Sequence, residues 1–302
     1  MKNQNNSAKY SANILIRHPK YRELYAEIKR CQEESSGAND PRCMSLEGPT
    51  GIGKTALLFD FVKGFPLSET AEGTRIPVLY FDTPLPVTVN GLVQKMLSAL
   101  GNPVTHKATQ KSLQHRLIRL IKDCGVELVI LDDFHDLDYI ETEGSFAKVC
   151  DLLIALIKET GVPFLVVGTE GKVELILKTN NELSRLFVVR EKLTKFQWDP
   201  EDPDTIQSFS YFIRELEEAV GLSLPWQPNN DLELLYRLHY ATDGVIANIM
   251  ILMRSACKVA ERQGAERLDI DVLAAVYDKL LARRLNRPNP FNKSLDEQFI
   301  AL

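Results

Sequence analysis

Gly48-Pro49-Thr50-Gly51-Ile52-Gly53-Lys54-Thr55 is the stretch that decides how the rest of the chain is read. A glycine, four residues and then Gly-Lys-Thr make a complete phosphate-binding loop. Its flanks fit. Cys43, Met44, Ser45, Leu46 and Glu47 form a short strand before it, and Ala56, Leu57, Leu58, Phe59 and Val62 open a helix after it. Glycines let the backbone N–H groups turn inward, and the N-terminus of the following helix adds partial positive charge. Lys54 can reach the β- and γ-phosphates, and the Thr55 hydroxyl is placed to ligate Mg²⁺. Gly48, Pro49, Thr50, Gly51, Ile52, Gly53, Lys54, Thr55 and Ala56 are therefore expected to hold a nucleoside triphosphate. A glycine-rich turn matching by chance is the alternative, and the strand and helix on either side weigh against it.

Working outward, the pattern is α/β. Pro19 opens a helix marked by Tyr21, Leu24, Tyr25, Ile28 and Cys31, at spacings of three and four. Val78 to Phe81 make a second apolar strand ending at Asp82, followed by helical stretches Val89 to Leu100 and Thr109 to Cys124. Leu128 to Leu131 form a third strand that finishes in Asp132-Asp133. Phe146 to Ile157 is a helix, Pro163 to Val167 a fourth strand, and Phe187 to Leu193 a fifth. Continuous apolar strands alternating with helices predict a parallel five-stranded sheet covered on both faces, with ligands at the carboxyl ends of its strands. The loop, Asp132 and Thr169 all fall there.

Trp198 to Pro203 reads as a linker, and beyond it the pattern is purely helical. Four stripes, beginning at Ile206, Leu232, Val245 and Val272, predict a small helical lid domain. The expected organisation is a flexible N-terminus over 1–13, an α/β domain over 14–197, a helical lid over 198–283 and a tail over 284–302. Phe291, Phe299, Ile300 and Leu302 in that tail are either anchors for a partner or part of an end with no role.

Bulk properties narrow the class. The chain has 302 residues, 44% of them hydrophobic and 25% charged, with a net charge of −5. No strongly basic balance announces nucleic acid, so such binding must rest on a local patch. Five scattered cysteines lack metal-ligand spacing and fit reduced, buried thiols. The first residues lack the apolar stretch of a signal peptide, and no uncharged apolar run is long enough for a membrane span. A soluble, cytoplasmic protein without membrane contact is expected.

The remaining chemistry is read from strand ends. Asp132 can hold Mg²⁺ through its water shell, and Asp133 can orient or deprotonate the attacking water. Thr169 either touches that water or the γ-phosphate, or caps the following helix. Arg185, just before the fifth strand, is either a finger completing a neighbouring subunit's site or a surface salt bridge. Ile14, Ile16 and His18 either wall the nucleotide base or are ordinary core. From Val104 to Lys122 there is no acid. Lys107, Thr109, Lys111, His115 and Arg119 lie along this stretch, its cations recurring every three or four residues. They form a stripe that follows a DNA backbone or, alternatively, a solvated helix face.

The phosphate loop, Leu128 to Leu137 (Leu-Val-Ile-Leu-Asp-Asp-Phe-His-Asp-Leu), Val166 to Glu170 (Val-Val-Gly-Thr-Glu), Leu183 to Trp198 and Asn289-Pro290-Phe291 together resemble the TniB/TnsC group of AAA+ transposition ATPases, relatives of MuB. The resemblance covers about residues 14 to 283. It implies an ATPase using ATP and Mg²⁺, with Arg185 acting as the finger. It further implies subunits that polymerise on double-stranded target DNA as a helical filament or ring, in the cytoplasm and associated with the nucleoid. The implied partners are a TnsB/TniA-like transposase and a TniQ-like targeting protein, with a CRISPR effector supplying the target in some systems. Two departures stand out. The family more often has Glu where this chain has Asp133, which implies slow hydrolysis. No arginine occurs in Gly244-Val245-Ile246-Ala247-Asn248, where many AAA+ proteins carry one in the lid. A protein-directed or signalling ATPase without DNA binding is the competing function.

Overall fold

The computed structural model describes residues 14–35, 41–71, 73–104, 109–226 and 231–292. They fall into two compact units. One consists of Lys20–Thr50 with Lys54–Leu193, and the other of the described residues up to Pro19, Gly51–Gly53 and those from Thr194 onward.

The first unit is α/β. In chain order it holds α1 (Pro19–Ser35), β1 (Cys43–Glu47), α2 (Lys54–Lys63), the hairpin strands β2 (Ser68–Thr70) and β3 (Gly73–Arg75), and β4 (Val78–Asp82). Then come α3 (Val89–Ala99), α4 (Gln110–Asp123), β5 (Leu128–Asp132), a 3₁₀ turn (Phe134–Tyr139), α5 (Glu143–Thr160) and β6 (Phe164–Gly168). The unit closes with α6 (Lys172–Lys178), α7 (Asn181–Leu186) and β7 (Phe187–Lys192). Five strands make one parallel sheet in the order β4-β5-β6-β1-β7. β1, β5 and β6 are buried at every position. That explains the continuous apolar reading of β5 and β6, because a central parallel strand has no water-facing side; β1 is as buried but carries Ser45 and Glu47. β7 is an edge strand and alternates, with Val188, Arg190 and Lys192 exposed; charge on an edge discourages pairing with another sheet.

Local chemistry sets the helix ends. Thr142 accepts from the Ser145 N–H and starts α5 at Glu143 rather than at Phe146, where the apolar stripe begins. Gly161, at φ +68°, ends it. The hairpin β2–β3 was not legible, because its residues are mostly exposed and carry no alternation. Leu92, Met96, Leu117, Ile121, Leu153 and Ile157 from α3, α4 and α5 join the sheet residues in one core.

The second unit is helical: α8 (Pro203–Val220), α9 (Asp231–Thr242), α10 (Ile246–Arg262), α11 (Ile270–Leu280) and α12 (Ala282–Leu285). Phe209, Phe212, Leu238, Leu252, Met253 and Tyr277 lie in its core. Two expectations are corrected. The boundary expected at 197/198 falls between Leu193 and Thr194, and the Trp198 ring, in the stretch read as a linker, meets Tyr236, His239 and Phe209. Nor is the chain from 284 an exposed tail throughout. Phe291 is buried against Tyr277, and Arg237 donates to the Pro290 carbonyl, because an aromatic ring and a carbonyl offered partners that helical periodicity does not reveal. Residues 1–13 and 293–302 lie outside the described residues. Among the described residues no helix is long and apolar enough to cross a membrane, and the five cysteines are buried and form no disulfide.

Candidate nucleotide site

β1 delivers the chain to Gly48, whose N–H donates to the Gly168 carbonyl at the end of β6 (3.2 Å). The loop then needs glycine twice in the left-handed region, with φ +83° at Gly51 and +97° at Gly53. Gly51 is constrained further: its carbonyl accepts from the Ala247 N–H (2.8 Å), and an added Cβ would stand 2.9 Å from that of Ala247. Lys54 opens α2, and its ammonium donates back to the carbonyls of Gly48 (2.7 Å) and Pro49 (2.9 Å), so its charge sits across the loop. Burial lowers the Lys54 pKa below its ordinary value, while Asp132, Asp133 and Glu170 oppose the shift.

Asp132, at the end of β5, is buried and faces the loop's threonine: Thr55 Oγ1 lies 3.5 Å from Asp132 Oδ2. The Asp133 N–H donates to Oδ1 (2.9 Å) and the Tyr80 hydroxyl to Oδ2 (3.1 Å). Burial raises the Asp132 pKa above its usual 3.8, against the pull of those two hydrogen bonds. A divalent cation would offset that cost and favour the ionised form. A hydroxyl and a carboxylate side by side are the hard oxygen donors Mg²⁺ prefers, so these residues fit the ion.

The other candidates are placed as follows. Asp133 is exposed at the head of the 3₁₀ turn with φ +53°, a conformation uncommon for a residue with a side chain. Thr169 follows β6, and α6 is capped by Gly171, not by Thr169; of its two readings, capping is absent. Arg185 is exposed in the last turn of α7, with no salt bridge among the described residues, so that alternative is likewise not seen. Ile14 and Ile16 pack on the helical core, and His18 is buried with its ring 5.3 Å from that of Phe196 and 5.9 Å from that of Phe212. Their packing reading is satisfied.

On α4, Leu113, Leu117 and Ile121 are buried while Lys111, His115 and Arg119 are exposed, so the cationic stripe faces away from the core. Thr109 spends its hydroxyl capping the helix, accepting from the Ser112 N–H. Arg119 pairs with Asp123 at 3.2 Å. Lys107 lies outside the described residues.

Three residues escaped the sequence reading. Glu47 ends β1 buried, and its carboxylate accepts from the N–H of Gly171 (3.0 Å) and of Glu174 (3.4 Å) while pairing with Lys192 (3.2 Å). It thereby ties the turn carrying Thr169 to the strand feeding the loop. An acid at the last position of an apolar strand was the available signal. Tyr80 touches Asp132 from the neighbouring region of the sheet, and nothing local marks it. Lys148 of α5 lines a groove with Lys111 and His115, but Asp151 and Glu159 line it too.

A parallel sheet in this order, a phosphate loop after β1, a buried acid ending β5 and a following helical unit define an AAA+ ATPase, a nucleotide-binding protein. Within that class the chain belongs to the bacterial TniB protein family, which it matches over residues 7–198. Solved structures agree in fold. The Aeropyrum pernix ORC2 protein, solved as ADPNP-ADP complexes, aligns with a TM-score of 0.63 and 14% identity over 94% of this chain and 75% of that one. The A. pernix ORC1 protein in complex with DNA gives 0.60 and 17% over 91% and 68%. The Thermotoga maritima RuvB Holliday junction branch migration motor gives 0.51 and 13% over 92% and 73%. A comparison with curated proteins gave no match.

Proposed function

We propose that this protein is an ATP-dependent, DNA-binding regulator of transposition, in which nucleotide occupancy controls assembly along double-stranded target DNA. Lys54 is placed to neutralise the β- and γ-phosphates, and Thr55 and Asp132 would hold Mg²⁺, which would supply charge screening on the phosphates. Asp133 orients the attacking water, with Thr169 beside it. Being one methylene shorter than glutamate, Asp133 makes turnover slow, which suits a timer better than a motor. Arg185 enters a neighbouring subunit's site and cancels charge in the transition state; its exposed position in the last turn of α7 supports this role.

The observation that carries the DNA assignment is the exposed face of α4, with Lys111, His115 and Arg119 outward and no acid before Asp123. Lys107 stands just before it in sequence, outside the described residues, with Thr109 at the N-cap, and Lys148 adds a cation from α5. Few phosphate contacts per subunit suffice when many subunits share one duplex as a filament or ring. Net acidity is then no obstacle. A TnsB/TniA-like transposase and a TniQ-like targeting protein are the partners recruited.

The competing reading, a protein-directed ATPase, draws support from Asp151 and Glu159 on the α5 side of the same groove. One experiment separates them. Duplex binding is measured with ATP across a salt series, for the parent and for Lys111→Glu. DNA function requires affinity that falls steeply with salt and a shallower slope in the variant. Salt-independent, unaltered or absent binding sinks it.

A further inference from the structure

Building on the reading that Thr55 and Asp132 hold Mg²⁺ beside a nucleotide, we propose that Tyr80 is the positioning residue for the magnesium carboxylate, its hydroxyl keeping Asp132 turned toward Thr55. The terminal torsion of an aspartate is broad and needs outside contacts to select one orientation. Here both oxygens are held: Oδ1 by the Asp133 N–H at 2.9 Å, Oδ2 by Tyr80 at 3.1 Å. The same Oδ2 is the atom 3.5 Å from Thr55 Oγ1, so Tyr80 acts on the oxygen that meets the other metal donor.

The edge strand supports this in a second place. Just past β4, Thr83 donates to the Asp132 carbonyl through both its N–H (3.0 Å) and its hydroxyl (2.9 Å). Backbone and carboxylate of Asp132 are thus gripped from one strand, in register with β5, where Tyr80 pairs with Ile130 and Asp82 with Asp132. The Tyr80 ring lies 5.2 Å from that of Phe59 of α2. Packing against Phe59 uses the ring alone. A phenylalanine would serve that purpose, and the hydroxyl is explained by the carboxylate it faces.

The test is Tyr80→Phe in the full chain, with binding of a fluorescent ATP analogue followed first in EDTA and then as Mg²⁺ is added. Affinity in EDTA should match the parent, and the nucleotide-free protein should still melt in one cooperative transition. Half-saturation by Mg²⁺ should rise about tenfold, the effect of losing one hydrogen bond to a charged group. Phe59→Leu, which disturbs the ring contact and leaves the hydroxyl, should not move the Mg²⁺ curve. A Tyr80→Phe curve superimposed on the parent overturns the proposal, and so does an equal shift in Phe59→Leu. If the parent binds the analogue without any response to Mg²⁺, the reading of Thr55 and Asp132 fails first.

Discussion

Replacing Gly51 with alanine would show how tightly the tip of the phosphate loop is specified. Two costs add. At φ +83° a residue with a side chain gives up about 1–2 kcal/mol. The new Cβ would also stand 2.9 Å from Ala247 Cβ, against roughly 3.5–4.0 Å for relaxed carbon contact. Either the loop or the first turn of α10 must then give way. That movement strains the 2.8 Å bond from the Ala247 N–H to the Gly51 carbonyl, a loss of about 1 kcal/mol. Together the terms reach about 2–3 kcal/mol, or roughly 30- to 150-fold in nucleotide affinity if the present loop conformation is the one that binds phosphate.

The assay is titration of a fluorescent ATP analogue into the parent, Gly51→Ala, Ala247→Gly and the double variant. Ala247→Gly removes the carbon that Gly51→Ala would strike and leaves φ untouched. The double variant should therefore bind about fivefold more tightly than Gly51→Ala alone, the part owed to the contact. A double variant no tighter than Gly51→Ala refutes the contact argument. Parent-like affinity in Gly51→Ala refutes both terms.

Lys54→Ala should abolish measurable analogue binding, since it removes the cation lying across the loop; retained binding would place the nucleotide elsewhere. Asp133→Glu should speed steady-state ATP turnover by restoring reach to the water, and an unchanged or lower rate would show that length is not the limit. Arg119→Glu should weaken duplex binding less than Lys111→Glu, because Arg119 already shares its charge with Asp123; the reverse order in a salt-series titration would contradict the exposed-face reading. Burial raises the Asp132 pKa above 3.8, and a raised folded-state value contributes stability that is present below 3.8 and lost as pH climbs through the folded value. Nucleotide-free Asp132→Asn should therefore lose less stability than the parent over that rise. Superimposed pH profiles from denaturant unfolding would count against it.

By itself the chain determined everything that a short run of residues can encode. The phosphate loop is contiguous, and its Gly-Lys-Thr ending between strand and helix needs no distant partner to be recognised. β5 and β6 announced themselves as continuous apolar runs because both of their faces are dry, while β1 was placed by the phosphate loop that follows it. Asp132 was found because it ends such a run. What only the tertiary structure decided are meetings between residues far apart in sequence. Tyr80 reaches Asp132, Glu47 receives the N–H groups of Gly171 and Glu174, and Ala247 closes on Gly51. It also decided that Phe291 is core rather than tail. Periodicity along one element reports which of its faces is buried, but a hydrogen bond or a ring contact depends on where a second element arrives, and that is set by packing of the whole unit.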